Sequence, residues 1–404
     1  MKNMEPFKLL VSQEDAEKLI LEHCVPIDES EQIDISLASG RVLASDITAD
    51  THVPPFDRAA MDGYAVIAED TFAAQNKEVL LALREVIHAG EVAQTSVSQG
   101  CCIQIATGSP LPDGADAVVM VEFTERRNDK IMVTKPVYPG ANISRAGEDI
   151  RQGETVLPQG NLLTPARIGT LTALGMTTVS VFRKPKIAVV PTGSEVVSPG
   201  VPLKPGQIYD VNSYTLESIL TANGAEVTRF PVVTDDDKVM RSTLSSASKY
   251  DMAVFSGGSS VGERDLLAGI VEGMGRVLFH GVQIKPGKPT LFGIVKGVPV
   301  FGMPGYPTSC LSNAYIFLVP AVRKMAHLPQ ASHPTIRAKL GKRIVSSSGR
   351  KQFLTVRIED GIAHPVYKHS GAITSMAKAD GYIVLPVNLD VIEEGEDVEI
   401  TLFE

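Results

Sequence analysis

Between residues 184 and 327 the spacing of apolar positions changes repeatedly. "KIAVVPTG" at 186–193 is a short apolar run that predicts a strand. "NSYTLESILTANG" at 212–224 places apolar residues at helical spacing and stops at Gly224, and "AEVTRFPVV" at 225–233 predicts another strand. "DKVMRSTLSSASK" predicts a helix, "DMAVFSGG" a strand and "DLLAGIVEGMG" a helix. Strand and helix in turn imply βαβ units and a mostly parallel sheet. Open sheets of this kind take ligands at the carboxyl ends of their strands, so the segment after each strand is where chemistry is expected.

The flanking patterns differ. Residues 12–24, "SQEDAEKLILEHC", predict a helix with Ser12 as cap and Glu14 and Asp15 in its first turn. From about 48 to 142, pieces such as "EVLLALREVI" and "KIMVTKPV" between Pro- and Gly-bearing turns predict a small β-rich module. Residues 143–183 hold turns and then a helix at 164–174 opened by Thr164 and Pro165, a candidate for the body joining the modules. Beyond 328, "TIRAKLGKRIV", "KQFLTVRIED", "GYIVLPV" and "EDVEITLF" predict a small C-terminal barrel or sandwich. The expected fold class is multidomain, α/β plus β. Its expected parts are a body from 1–47 and 143–183, an insertion at 48–142, an α/β domain at 184–327 and a barrel at 328–404.

Composition narrows the function. With 404 residues, 44% hydrophobic and 21% charged, the chain has ordinary material for several cores. A net charge of −9 argues against non-specific attraction to nucleic acid or anionic membrane, so an anionic ligand needs a local basic pocket. The N-terminus lacks a signal-peptide core, and the apolar stretch 313–322 is too short to span a bilayer, which predicts a cytoplasmic location. Cys24, Cys101, Cys102 and Cys310 show no metal-ligand spacing and read as buried or inert thiols.

Five segments gather glycine, hydroxyls and charge. "PPFDRAAMDGYAV" (54–66) holds Asp62, either an exposed turn carboxylate or a fixed one near metal or substrate. "ATGSPLPDGADAVVMVE" (106–122) sets Thr107 beside a glycine, where a hydroxyl could reach a phosphate, although a plain turn fits as well. "PTGSEVV" (191–197) follows a predicted strand and offers Gly193, Ser194 and Glu195 without the Lys of a Walker loop. "SGGSSVGERD" (256–265) repeats that placement with Gly257, Gly258, Ser259 and Ser260, and Glu263 or Asp265 could hold a divalent cation; an ordinary strand-to-helix turn, with Asp265 as cap, also fits. "QIKPGKPTLFG" with "GMPGYPTS" (283–293, 302–309) brackets Pro286 and Gly287 between Lys285 and Lys288, two ammonium groups on one stiff loop suited to an oxyanion.

These segments, together with "GEDI" at 147–150, "IYDVN" at 208–212 and "SGAITSMAKADGYIVLP" at 370–386, resemble in order and over nearly the whole chain the MoeA family, the molybdopterin molybdenumtransferases related to the E domain of gephyrin. The resemblance implies a homodimer of four-domain subunits with a MogA-like α/β domain. It implies that adenylylated molybdopterin and molybdate are substrates, that AMP leaves, and that Mg²⁺ assists; other cofactor-biosynthesis proteins are expected partners. The family's functional residues fall on Asp62, Thr107, Glu195, Asp235, Asp265 and Lys285, with Lys288 and Ser370 in the neighbouring pterin and oxyanion region and Glu195 and Asp265 as metal ligands. Departures stand at Gly281 and Thr355, where the family often has lysine and arginine, at Ser144, another frequent arginine position, and at Tyr306 in place of asparagine; Arg145, Arg350 and Arg357 lie near enough in sequence to compensate. A paralogue that inserts tungstate and a non-catalytic dimeric pterin-binding scaffold are the alternative readings.

Overall fold

The computed structural model describes residues 10–257, 266–346, 350–366, 372–389 and 391–403. The chain divides into two compact units, Gln32–Val181 and Met1–Glu31 with Phe182–Glu404.

The second of these contains a six-stranded sheet in the order Glu226–Arg229, Lys186–Pro191, Met252–Ser256, Val298–Met303, Leu291–Val295 and Arg276–His280. The first four strands run parallel, Leu291–Val295 runs against them, and the edge strand Arg276–His280 returns to their direction, so the expected parallel-rich sheet is observed with one reversed strand. Helices Asn212–Ala222, Asp237–Ala247 and Leu266–Met274 alternate with the strands as the periodicity predicts. Because both faces of the sheet are covered, its strands read as continuous apolar runs rather than as alternation. Ile187, Val189, Met252, Val254 and Phe301 pack on one side with Ile20 and Leu216, while Ala188, Val190, Ala253, Phe255 and Val300 pack on the other with Leu244 and Leu267. The helix Gln13–His23 joins the first of these cores through Ala16 and Ile20, its N-terminus capped by the Ser12 hydroxyl accepting from the Asp15 N–H.

In the same unit, strands Thr335–Leu340, Lys351–Glu359, Ile362–Pro365, Gly381–Leu385 and Asp397–Leu402 close into a five-stranded barrel around Leu340, Leu354, Val356, Ile383 and Ile400. Full closure removes the exposed sheet edges that a sandwich would keep. The short strand Ile284–Lys285 adds to this barrel, with Ile284 paired to Lys351 and Lys285 to Gln352.

The other unit carries an antiparallel-rich sheet in the order Ala117–Met120, Gly63–Val66, Cys101–Ile105, Val79–Ile87, Lys130–Val133 and Thr124–Arg127. A further apolar cluster combines Ala38, Leu43 and Ile47 with Ile150, Leu163, Leu171 and Val181. Helix Pro165–Ala173 begins as expected, with Thr164 capping the Arg167 N–H and proline in its first turn. All four cysteines are buried and free, and burial pushes the Cys24 and Cys102 thiols up to about 12. No helix among the described residues is long and apolar enough to cross a membrane.

Candidate ligand edge and its relatives

The register of the α/β sheet brings distant loops to one edge. His280 pairs with Leu291, Leu291 with Gly302, Gly302 with Phe255 and Phe255 with Val190. One residue further out, Met303 pairs with Ser256, Ser256 with Pro191, and Thr192 bridges to Val233. Thus Gly193–Glu195, Asp235, Gly257, Gly305 and the 281–290 loop all leave the sheet from its carboxyl edge, where strand ends turn into loops.

The edge is assembled from bare backbone. Gly257 sits at φ +98°, its N–H donates to the Met303 carbonyl at 3.1 Å, and a Cβ there would lie 2.6 Å from the Thr192 carbonyl oxygen. Thr192 in turn donates its Oγ1 proton to the Ser256 carbonyl at 3.2 Å. Gly305 approaches the Gly257 Cα, at 3.7 Å from its own would-be Cβ. Only glycine tolerates both the left-handed backbone and these distances at position 257. Gly193 at φ +135° gives its N–H to the Val233 carbonyl at 3.0 Å, and the Glu195 carboxylate folds back over it, with Oε2 2.9 Å from where a Cβ would stand. Ser194 and Glu195 are exposed, and Asp235 is half-buried in the bend before Asp236, which caps helix Asp237–Ala247 by accepting from the Val239 N–H at 3.0 Å.

Lys285 and Lys288 lie half-buried on a loop whose Pro286 and Gly287 are buried. The Lys288 carbonyl accepts from both the Val282 and Thr290 N–H groups at 2.9 Å, and the Gly281 N–H donates to the Thr290 carbonyl at 2.8 Å. The loop is therefore closed by its own backbone, which holds the two lysine Cα atoms at a set spacing. Gly281 stands at φ +109°, a backbone that a lysine could adopt only under strain, so the missing cation at this position is built into the main chain.

In the other unit Asp62 and Thr107, 45 residues apart, form a pair. Asp62 Oδ1 accepts from the Thr107 N–H and from the Thr107 Oγ1, both at 2.7 Å. The backbone donor first and the hydroxyl second hold the Asp62 carboxyl below the usual carboxylate range, which keeps an exposed carboxylate ionised and fixed in direction. The Thr107 proton is committed to Asp62, so this hydroxyl offers lone pairs outward. The pairing depends on Gly63, next along the chain: its would-be Cβ lies 1.9 Å from the Val119 carbonyl oxygen, so the strand runs against its neighbour only without a side chain.

The other departures have local causes. Thr355 is 7% exposed, and with Phe353, Tyr382, Tyr315 and Phe403 it lines an aromatic cavity of about 10 Å³, room for little more than a water molecule. Its side chain is packed among these aromatic rings. Arg145 is ion-paired with Asp57 at 2.5 Å and Arg357 with Glu359 at 2.5 Å, and Arg350 is exposed. Ser144 is half-buried opposite Arg58 in a two-residue ladder. Tyr306, 64% exposed, occupies the cap of helix Pro307–Asn313 without the side-chain cap bond that asparagine could make.

Gly258, Ser259, Ser260, Asp265 and Ser370 lie outside the described residues. Among the described residues no three metal-ligating side chains converge. Sequence reasoning missed Asn212, which donates to the Gly305 carbonyl at 2.9 Å, and Asn313 and Thr290 beneath the lysine loop. For Asn313 the available signal was a lone amide opening an apolar run, "NAYIFLVPAV".

Family models for the MoeA N-terminal region (domains I and II), the probable molybdopterin binding domain and the MoeA C-terminal region (domain IV) match residues 11–175, 188–324 and 337–403. Among solved structures, the molybdopterin biosynthesis MoeA protein of Pyrococcus horikosii is 40% identical with a TM-score of 0.85, over 98% of this chain and 99% of its own. Molybdopterin molybdenumtransferase 2 of Mycobacterium tuberculosis is 34% identical over 93% of this chain and 95% of its own length. The molybdopterin molybdenumtransferase of Haemophilus influenzae is 31% identical over 98% and 99%. Order of loops, fold and sequence agree along the full length: the chain belongs to the MoeA family, transferase enzymes of molybdenum cofactor biosynthesis.

Proposed function

We propose that this transferase inserts molybdate into adenylylated molybdopterin and releases AMP. The observation that carries the reading is the shared carboxyl edge, which gathers glycine-bared backbone, the exposed Glu195, the half-buried Asp235 and the two-lysine loop from five separate stretches of chain. A phosphoanhydride needs N–H donors that can approach closely, and an incoming oxyanion needs fixed positive charge. The Gly193 and Gly257 N–H groups are taken by the Val233 and Met303 carbonyls, so these glycines, with Gly258, are assigned to close approach and Ser194, Ser259 and Ser260 to donation. Lys285 and Lys288 supply the positive charge, with Pro286 and Gly287 setting their spacing and Ser370 assigned to the same oxyanion region.

Asp62, held ionised by Thr107, acts in this reading as an acceptor that orients substrate or the attacking water rather than as a proton donor. Asp235 is assigned to the same orienting task at the α/β edge. Glu195 and Asp265 are the proposed ligands of Mg²⁺. Exposed carboxylate oxygens suit this hard cation, as the Glu195 geometry supports, and the ion would neutralise phosphate charge when bound. The working form is proposed to be a homodimer in the cytoplasm, with molybdate and the pterin adenylate as its small-molecule partners.

Anaerobic turnover of the purified protein with adenylylated molybdopterin, molybdate and tungstate tests the reading. Oxyanion-dependent AMP release, lost in Asp62→Ala and Asp265→Ala, is the expected result. Binding of the pterin adenylate without AMP release at saturating oxyanion would establish the scaffold alternative, and release with tungstate alone would identify the metal as tungsten.

A further inference from the structure

Asn313 ends the helix Pro307–Asn313 and is completely buried among apolar side chains. An amide in such a place is costly unless its donors are used. Its Nδ2 donates to the Gly287 carbonyl at 2.9 Å and to Thr290 Oγ1 at 2.6 Å, and Thr290 Oγ1 donates to the same Gly287 carbonyl at 2.9 Å. Three polar groups thus close a triangle beneath the tip of the lysine loop. The fit is tight from the other side as well. A Cβ on Gly287, which sits at φ +102°, would lie 2.3 Å from both the nitrogen and the oxygen of the Asn313 amide. The loop presents bare backbone where this side chain seats.

We propose that Asn313 is a positioning residue for the anion-binding loop. Its buried amide anchors Gly287 and Thr290, and thereby fixes the backbone from which Lys285 and Lys288 reach the oxyanion or phosphate. Leucine keeps the branched outline of asparagine but is bulkier and donates nothing, so the closely matched Thr290→Val change is what separates lost donation from added bulk. A loop ordered before the ligand arrives loses less freedom on binding, and the gain is read as affinity. The inference rests on the transferase reading for what the loop binds, although not for what holds the loop.

The test pairs hydrogen exchange with ligand affinity. Asn313→Leu should speed exchange of the 281–290 amides, leave the central strands protected, and weaken binding of adenylylated molybdopterin, measured without oxyanion, by roughly tenfold. Thr290→Val should move both readouts the same way by less, and it covers the case in which the Asn313 variant fails to fold. Adding it to Asn313→Leu should cost less than the sum, because the two share one anchor. Ser312→Ala is the control from the same helix; its hydroxyl faces the Met376 sulfur at 4.0 Å and should change neither readout. Unchanged exchange at 281–290 would overturn the anchoring role, and faster exchange with wild-type affinity would overturn its functional meaning. Failure of the wild-type protein to bind the pterin adenylate would instead remove the transferase reading and leave the exchange result to decide the anchor.

Discussion

The corner around Asp62 and the loop around Glu195 solve one problem in opposite ways. Each places an exposed carboxylate beside a glycine. At Asp62 the carboxylate is tied by two donors from Thr107, and the neighbouring Gly63 is pressed against backbone, its would-be Cβ 1.9 Å from the Val119 oxygen. At Glu195 the carboxylate itself is what lies over Gly193, 2.9 Å from the would-be Cβ, and it is the far end of a rotatable side chain. A carboxylate fixed in advance suits orientation of a reacting group. One that can swing suits a ligand or ion that comes and goes.

Alanine at the glycines is expected to separate by what the new methyl meets. Gly63→Ala is expected to cost most, about 4 kcal/mol or outright loss of folding, because neither backbone can yield; chemical denaturation measures it. Gly257→Ala, where the methyl meets the Thr192 carbonyl at 2.6 Å and φ is +98°, should cost about 2–3 kcal/mol in the same assay and weaken pterin-adenylate binding more than any change at Gly63 that still folds. Gly193→Ala should cost only about 1 kcal/mol, the backbone strain alone, since the Glu195 side chain can move aside. A cost at Gly193 equal to that at Gly257 would mean that the Glu195 carboxylate is held as rigidly as Asp62.

The smallest predicted effect is electrostatic. Asp62 titrates below the ordinary carboxylate range because its ionised form is hydrogen-bonded, so its interactions are complete above that range and are lost as the pH falls through the lowered value. Thr107→Val, which removes the hydroxyl but keeps the larger contribution of the backbone donor, should move the acid limb of the AMP-release profile up toward the ordinary carboxylate range without reaching it. A profile that does not move would detach Asp62 from the rate.

Legibility in the sequence followed the range of the forces involved. The strand–helix alternation of the α/β sheet is local, since side-chain period and caps such as Ser12, Thr164 and Asp236 act within a turn or two, and those elements fall where the pattern puts them. The reversed strand Leu291–Val295 and its edge neighbour Arg276–His280 escaped that reading because a strand has the same local period in either direction. The π-helical turn Ala314–Leu318 ahead of Pro320 was likewise invisible inside one apolar run.

At the site, glycines, hydroxyls and lysines announced which loops carry chemistry, because few structural needs collect those residue types after strand ends. They did not announce which side chain ties which loop. Asp62 finds Thr107 across 45 residues, and Asn313 finds Gly287 across 26, distances at which only the register of paired strands and the packing of a helix on the sheet bring groups together. The sequence by itself determined the order of elements, the loops with ligand-binding composition and the family, since these depend on residue type and near-neighbour spacing. Only the tertiary structure decided that five loops share one edge, that Thr355 is packed among aromatic rings, and that a buried amide ties Gly287 and Thr290 of the lysine loop, because each of those follows from contacts between segments that no local pattern encodes.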